Sequence, residues 1–149
     1  MGDPDQPTWR SSATATLHAA LVLKNMIEDR LLEAESLLLA DNEALLNLHH
    51  NADPPRMSDI AERLILSRGG TTKVIDRLEA MGYAQRRPDA NDRRATVVAI
   101  TPEGEETLVR ARKVIDDCLE EVWAKHIDPT EADTVIAVMT RFLHDTPHH

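Results

Sequence analysis

Residues 57–104, MSDIAERLILSRGGTTKVIDRLEAMGYAQRRPDANDRRATVVAITPEG, decide the fold. Ser58 or Asp59 opens a short helix to Leu64, in which Ile60, Ala61 and Leu64 share a face. After Ile65 and Leu66, Ser67 is a capping residue for a second helix running to about Met81. Val74, Ile75 and Leu78 point inward along it, and Gly82 supplies the stop. Two short helices joined by a turn of about three or four residues have helix-turn-helix spacing. Tyr83–Pro88, the polar turn Asp89–Asp92 and the β-branched stretch Arg93–Ile100 then predict a two-stranded hairpin.

Upstream, no Pro or Gly interrupts Trp9 to Leu39, and Leu17, Leu21, Leu23, Ile27, Leu31 and Leu32 recur at helical spacing. A long first helix is expected there, broken near Glu33–Ser36, then a second from about Asp41 to His50. Asn51–Arg56 (NADPPR) reads as a stop and a linker. Downstream, Thr101 and Pro102 start a helix to about His126, striped by Leu108, Ala111, Ile115, Leu119 and Val122. Asp128, Pro129 and Glu131 form an N-cap, an N1 proline and a capping-box acid for a last helix ending near His144. Residues 1–8 are polar and Pro-rich, and fraying is expected there.

The predicted order is α-α-α-α-β-β-α-α, a mostly α fold with a small β-hairpin wing. A winged helix-turn-helix region (41–101) lies between helical extensions (9–40 and 102–145), in one intertwined domain. Neither extension has a neighbour in the chain large enough to cover it, which predicts a symmetric homodimer. Leu37–Leu39 and the stripe Val135, Val138, Met139 and Phe142 of the last helix are the expected contacts.

The 149 residues suit one domain, and a hydrophobic fraction of 42% is enough for a core. Aromatics are only 3%, too few for a base-stacking platform for single strands. A single cysteine, Cys118, excludes an intramolecular disulfide framework and a thiolate zinc cluster. No apolar run approaches the roughly 18 residues of a membrane span, and no apolar leader opens the chain, so a cytoplasmic protein without membrane partners is expected.

The net charge of −9 hides an asymmetry. Arg56–Thr101 carries nine Lys/Arg against six Asp/Glu, a local +3, and the remainder carries −12. A basic middle in an acidic frame is the footprint of a local polyanion site.

These residues resemble the MarR family of bacterial transcription regulators. The wing carries Asp-x-Arg, five residues, Leu/Ile-Thr, two residues, Gly, as Asp92, Arg94, Ile100, Thr101 and Gly104. The pattern LxLSRxxxTxxxDRLExxG stands at Leu64 through Gly82, and the element order fits roughly residues 9–145. The resemblance implies a homodimer that binds pseudo-palindromic double-stranded promoter DNA, commonly as a repressor, and is released by a small-molecule or redox signal. No cofactor is required. The helix opened by Ser67 would enter the major groove with Gly69, Gly70, Thr72 and Lys73 facing it. Arg68 is placed to read a guanine for about 1–3 kcal/mol of discrimination, and Arg77 to hold phosphate. Arg94 matches the wing-tip arginine that enters the minor groove, with Asp92 expected to orient it by an ion pair. Arg86, Arg87 and Arg93 are candidates for the phosphate backbone.

The family's effector pocket lies where the dimerisation helices meet the winged region. Trp9, Arg10, His18 and His49 are the ligand candidates there, a Trp beside an Arg suiting an aromatic carboxylate. His18, His49, His50 and Glu43 are all that a metal-responsive version would have, and no spacing demands it. Cys118 is expected to be an inert packing residue, since the peroxide-sensing branch uses a cysteine in the first helix. A winged-helix interaction protein without specific DNA binding is the alternative. No catalytic constellation stands out, so an enzyme is not expected.

Overall fold

The structure is a computed structural model and describes residues 8–64 and 68–146. Helix α1 is Thr8–Glu35, α2 Leu39–His49, α3 Met57–Arg63 and α4 Arg68–Ala80. Strands β1 (Ala84–Pro88) and β2 (Thr96–Ile100) follow, then α5 (Pro102–Val122), a 3-10 turn at Ala124–His126 and α6 (Pro129–Asp145). The predicted architecture is observed, mostly helical with one antiparallel hairpin. The expected cap Ser67 lies outside the described residues, as do the side chain of Arg68 and residues 1–7.

Local chemistry accounts for most boundaries. Ser36 adopts φ +57° and ends α1, a left-handed stop that releases the chain into Leu37. The N–H of Leu38 donates to Asp41 Oδ2 at 2.9 Å, closing the first turn of α2. Gly82, at φ +79°, ends the turn after α4, where a side chain would be strained. Thr101 Oγ1 accepts from the N–H of Gly104 at 3.1 Å and Asp128 Oδ1 from Thr130 and Glu131, capping α5 and α6. The helix after the wing stops at Val122 rather than running unbroken to His126, because Trp123 breaks the register into a 3-10 turn.

Ile27, Leu31, Leu37, Leu45, Ile60, Ile75, Leu78 and Val98 form the core, with Ala111 and Cys118 of α5 against it. Cys118 is 1% exposed. Leu37 was expected at a dimer contact but is wholly buried within the chain, since the sharp corner at Ser36 turns it inward. Of the leucines at helical spacing along α1, Leu31 is buried with Ile27, whereas Leu17, Leu21 and Leu32 are exposed. The hairpin pairs Ala84 with Ile100, Arg86 with Val98 and Pro88 with Thr96. The expected linker 51–56 does more than connect. Arg56 bridges to Val97, and the N–H of Val98 donates to the Pro55 carbonyl at 2.9 Å, so this segment covers the outer edge of β2. Among the described residues, no helix is long and apolar enough to cross a membrane.

Candidate nucleic-acid interface

Helix α4 buries Thr71, Val74, Ile75 and Leu78 and leaves Thr72 and Lys73 exposed. Among the described residues, nothing packs within 4 Å of where a Cβ on Gly69 would lie, so the backbone at Gly69 is open to the surroundings. Lys73 has no ion-pair partner among the described residues.

Arg77 is turned back into the protein. Its Nη2 donates to Asp41 Oδ1 at 2.6 Å and its Nε to the same oxygen at 3.1 Å. Asp41 is 1% exposed, whereas the Arg77 side chain keeps 39% of its surface. The placement differs from the outward, phosphate-facing one expected from helical spacing.

Arg86, on β1, is also committed. Its Nη2 lies 2.8 Å from Asp76 Oδ1, its Nη1 bonds Glu79, and its backbone N–H donates to Glu79 Oε1 at 2.7 Å. The wing's first strand is therefore clamped onto α4. Among the described residues, the Arg87 guanidinium bonds Gln85 Oε1, two residues back, at 3.1 and 3.3 Å.

The wing tip is shaped by two aspartates. Asp89 Oδ1 accepts from the N–H of Asn91 at 2.8 Å, and Asp92 Oδ1 from that of Arg94 at 3.0 Å. Arg56 reaches Asp89 with Nη2 at 2.7 Å and Nε at 3.0 Å. The bond to Asn91 and the Arg56 guanidinium hold the Asp89 carboxyl below the usual carboxylate range. Asp92 meets the backbone of Arg94 where an ion pair with its side chain was expected; two residues apart in a tight turn, the carboxylate reaches the N–H first. The guanidinium groups of Arg93 and Arg94 are exposed and have no ion-pair partner among the described residues.

The four ligand candidates do not converge within the chain. Trp9 is 66% exposed at the start of α1, with the Arg10 guanidinium 5.8 Å from its ring centroid. His49, at the end of α2, places Nδ1 2.7 Å from Glu105 Oε2. His18 lines an apolar groove of about 310 Å³ between α1 and the end of α5, with Val22, Met26, Val122, Trp123 and His126. Trp123 is the aromatic there, and its place after a helix end gave no sequence signal. Among the described residues, no three His, Cys, Asp or Glu side chains could hold a metal ion.

Residues 43–95 match the MarR family profile. Over its winged segment, the chain is similar to the MarR family. It is 37% identical over 65 residues to an uncharacterised helix-turn-helix regulator of Bacillus subtilis, YkoM, spanning 44% of this chain and 42% of that protein. Against the transcriptional repressor MprA of Escherichia coli it is 30% identical over 95 residues, 64% of this chain and 52% of that one. The chain thus spans about half the length of the curated relatives it matches. These relatives are named as transcriptional regulators, none as an enzyme. The fold extends further. The crystal structure of Sco3205, a MarR family regulator from Streptomyces coelicolor in complex with DNA, superposes with a TM-score of 0.84 at 20% identity, covering 95% of this chain and 92% of that one.

The MarR wing signature acquires a structural meaning here. Asp92 folds the tip, and Thr101 ties the strand to the preceding turn by donating from Oγ1 to the Gly82 carbonyl at 2.6 Å. A Cβ on Gly104 would lie 2.2 Å from the Tyr83 carbonyl oxygen, so α5 can start against the wing only without a side chain there. The partners Asp41, Asp76, Glu79 and Arg56 carry the interface's geometry. Asp41 and Arg56 had no local sequence signal as partners.

Proposed function

We propose that this chain is a sequence-specific, double-stranded-DNA-binding transcriptional regulator that acts as a homodimeric repressor. The sorting of its cations carries this reading. Arg56, Arg77 and Arg86 are held by carboxylates, whereas Lys73, Arg93 and Arg94 are exposed on α4 and the wing tip without ion-pair partners among the described residues. A helix beginning with bare backbone at Gly69 suits close approach in a major groove, with Lys73 near phosphate or base edges. Arg94 on the wing suits a narrow minor groove, where negative potential is concentrated. The acidic remainder of the chain repels phosphate away from these two elements.

Dimerisation is supported by α6, which buries none of its residues and exposes Val135, Ile136, Val138, Phe142 and Leu143. The N-terminal half of α1 exposes Leu17, Leu21 and Val22 in the same way. Two copies would set the recognition helices about 34–36 Å apart, one turn of DNA. A small aromatic effector would be taken by the groove beside His18 and Trp123 and release the DNA.

The test is selection of duplexes from a random-sequence pool, followed by a salt titration of the recovered duplex against a scrambled one. Preference of at least about a thousandfold with a steep salt slope supports the reading. Equal, weak binding to both overturns it in favour of a winged-helix interaction protein.

A further inference from the structure

We propose that Arg77, gripped by Asp41, is a positioning residue that sets how the recognition helix α4 leaves the α1–α2 corner, and is not a phosphate contact. The inference rests on the DNA-binding reading above and assigns Arg77 a different part in it.

One buried carboxylate serves two elements. Asp41 Oδ2 accepts the Leu38 N–H at 2.9 Å, which closes the first turn of α2. Asp41 Oδ1 accepts from Arg77 Nη2 at 2.6 Å and Nε at 3.1 Å, and Nε also lies 3.3 Å from Oδ2. The guanidinium therefore meets the carboxylate with two donors of its rigid fork, a geometry a flexible ammonium cannot reproduce. The next N–H of α2, on Leu39, donates to Glu28 Oε2 of α1 at 3.0 Å, and Lys24 holds the other oxygen of Glu28 at 2.8 Å. Helices α1, α2 and α4 thus meet at one polar corner.

Arg77 lies four residues beyond Lys73, one helical turn along α4. A change in the corner rotates or tilts the turn that carries Gly69, Thr72 and Lys73. Asp41 is 1% exposed and cannot itself touch DNA, so it acts only through Arg77 and the start of α2.

The sign of one substitution separates the two roles. The chain carries −9, and removing a carboxylate strengthens binding to a polyanion if charge alone matters. Positioning demands the opposite.

The experiment compares wild type, Asp41→Asn, Arg77→Gln and Arg77→Lys, all at a temperature where circular dichroism shows each fully folded. Binding to the duplex recovered by random-pool selection is titrated against salt, and amide hydrogen exchange is measured on the free proteins. The expected result is a loss of at least about tenfold in affinity for all three variants, including Asp41→Asn and the charge-preserving Arg77→Lys. The slope of log affinity against log salt stays at the wild-type value, and amides of residues 72–80 exchange faster relative to those of α5. A slope reduced by about 0.9 in Arg77→Gln, with Arg77→Lys and Asp41→Asn binding as wild type or tighter, overturns the proposal in favour of a phosphate contact. If selection recovers no duplex for wild type, the DNA-binding reading fails by itself. The exchange measurement then decides the corner: wild-type protection of residues 72–80 in all three variants overturns it.

Discussion

The guanidinium of Arg86 on β1 stands 2.8 Å from the carboxylate of Asp76 on α4, joining the wing to the recognition helix. Glu79 takes the same guanidinium and the Arg86 backbone N–H, so one side chain fixes the strand's height and angle on the helix. Arg86→Ala leaves the Asp76 and Glu79 carboxylates without their shared cation and is expected to lower stability by about 1–3 kcal/mol. Urea denaturation measures this. A change within about 0.5 kcal/mol, the usual size for a surface site, would mean that the clamp contributes little.

Arg94 behaves in the opposite way. Its backbone, not its side chain, satisfies Asp92, so Arg94→Ala keeps the turn and leaves stability within about 0.5 kcal/mol of wild type. Binding to a selected duplex is expected to weaken by about 1–3 kcal/mol, with a salt slope lower by about one. Unchanged affinity removes the wing from the mechanism.

Two glycines separate stability from binding. Gly69 has open space where its Cβ would go, so Gly69→Ala is expected to stabilise the helix by about 0.5–1 kcal/mol while weakening DNA binding by filling the gap. Gly104→Ala forces a Cβ to 2.2 Å from the Tyr83 carbonyl oxygen and 2.8 Å from Ile100, and is expected to cost about 1–3 kcal/mol or more. Thermal denaturation and duplex titration of both variants check the contrast. Equal effects on stability would contradict it.

The exposed face of α6 predicts an assembly. Ile136 and Phe142 are 62% and 60% exposed, so Ile136→Asp with Phe142→Asp disturbs no contact of the core. Sedimentation is expected to show dimers for wild type and monomers for the double variant, with helical content retained. A dimeric double variant would place the interface elsewhere.

Acid acts at the α1–α2 corner. The Lys24 ammonium, hydrogen-bonded at 2.8 Å, and the Leu39 N–H hold the Glu28 carboxyl below the usual carboxylate range. A carboxyl depressed in the folded state contributes stability that is complete above its unfolded pKa and is lost as pH falls through the folded value. Wild type is therefore expected to lose melting temperature on acidification through the carboxylate range more steeply than Glu28→Gln. Parallel curves over that range would exclude Glu28 as a contributor.

Much of the fold was legible because its punctuation is local. Asp128-Pro129 opens α6, Thr101-Pro102 opens α5 and Gly82 closes the turn after α4, each where the sequence indicated. Local signals failed where an outcome depended on distant chain. Leu37 looked like part of an apolar surface and became core because of the corner at Ser36. Pro55 and Arg56 looked like linker and became the cover of β2, since pairing needs a strand some forty residues away.

By itself the sequence determined the order of helices and strands, the position of the wing and the basic middle of an acidic chain. Caps, glycines, β-branched runs and charge counts act over a few residues and need no partner to be read. Only the tertiary structure decided which of those cations are free. Arg77 meets Asp41 across 36 residues and Arg56 meets Asp89 across 33, and no local pattern encodes either pairing. A cation's availability to an outside anion depends on whether a carboxylate has already been folded against it, and only the packed chain brings the two together.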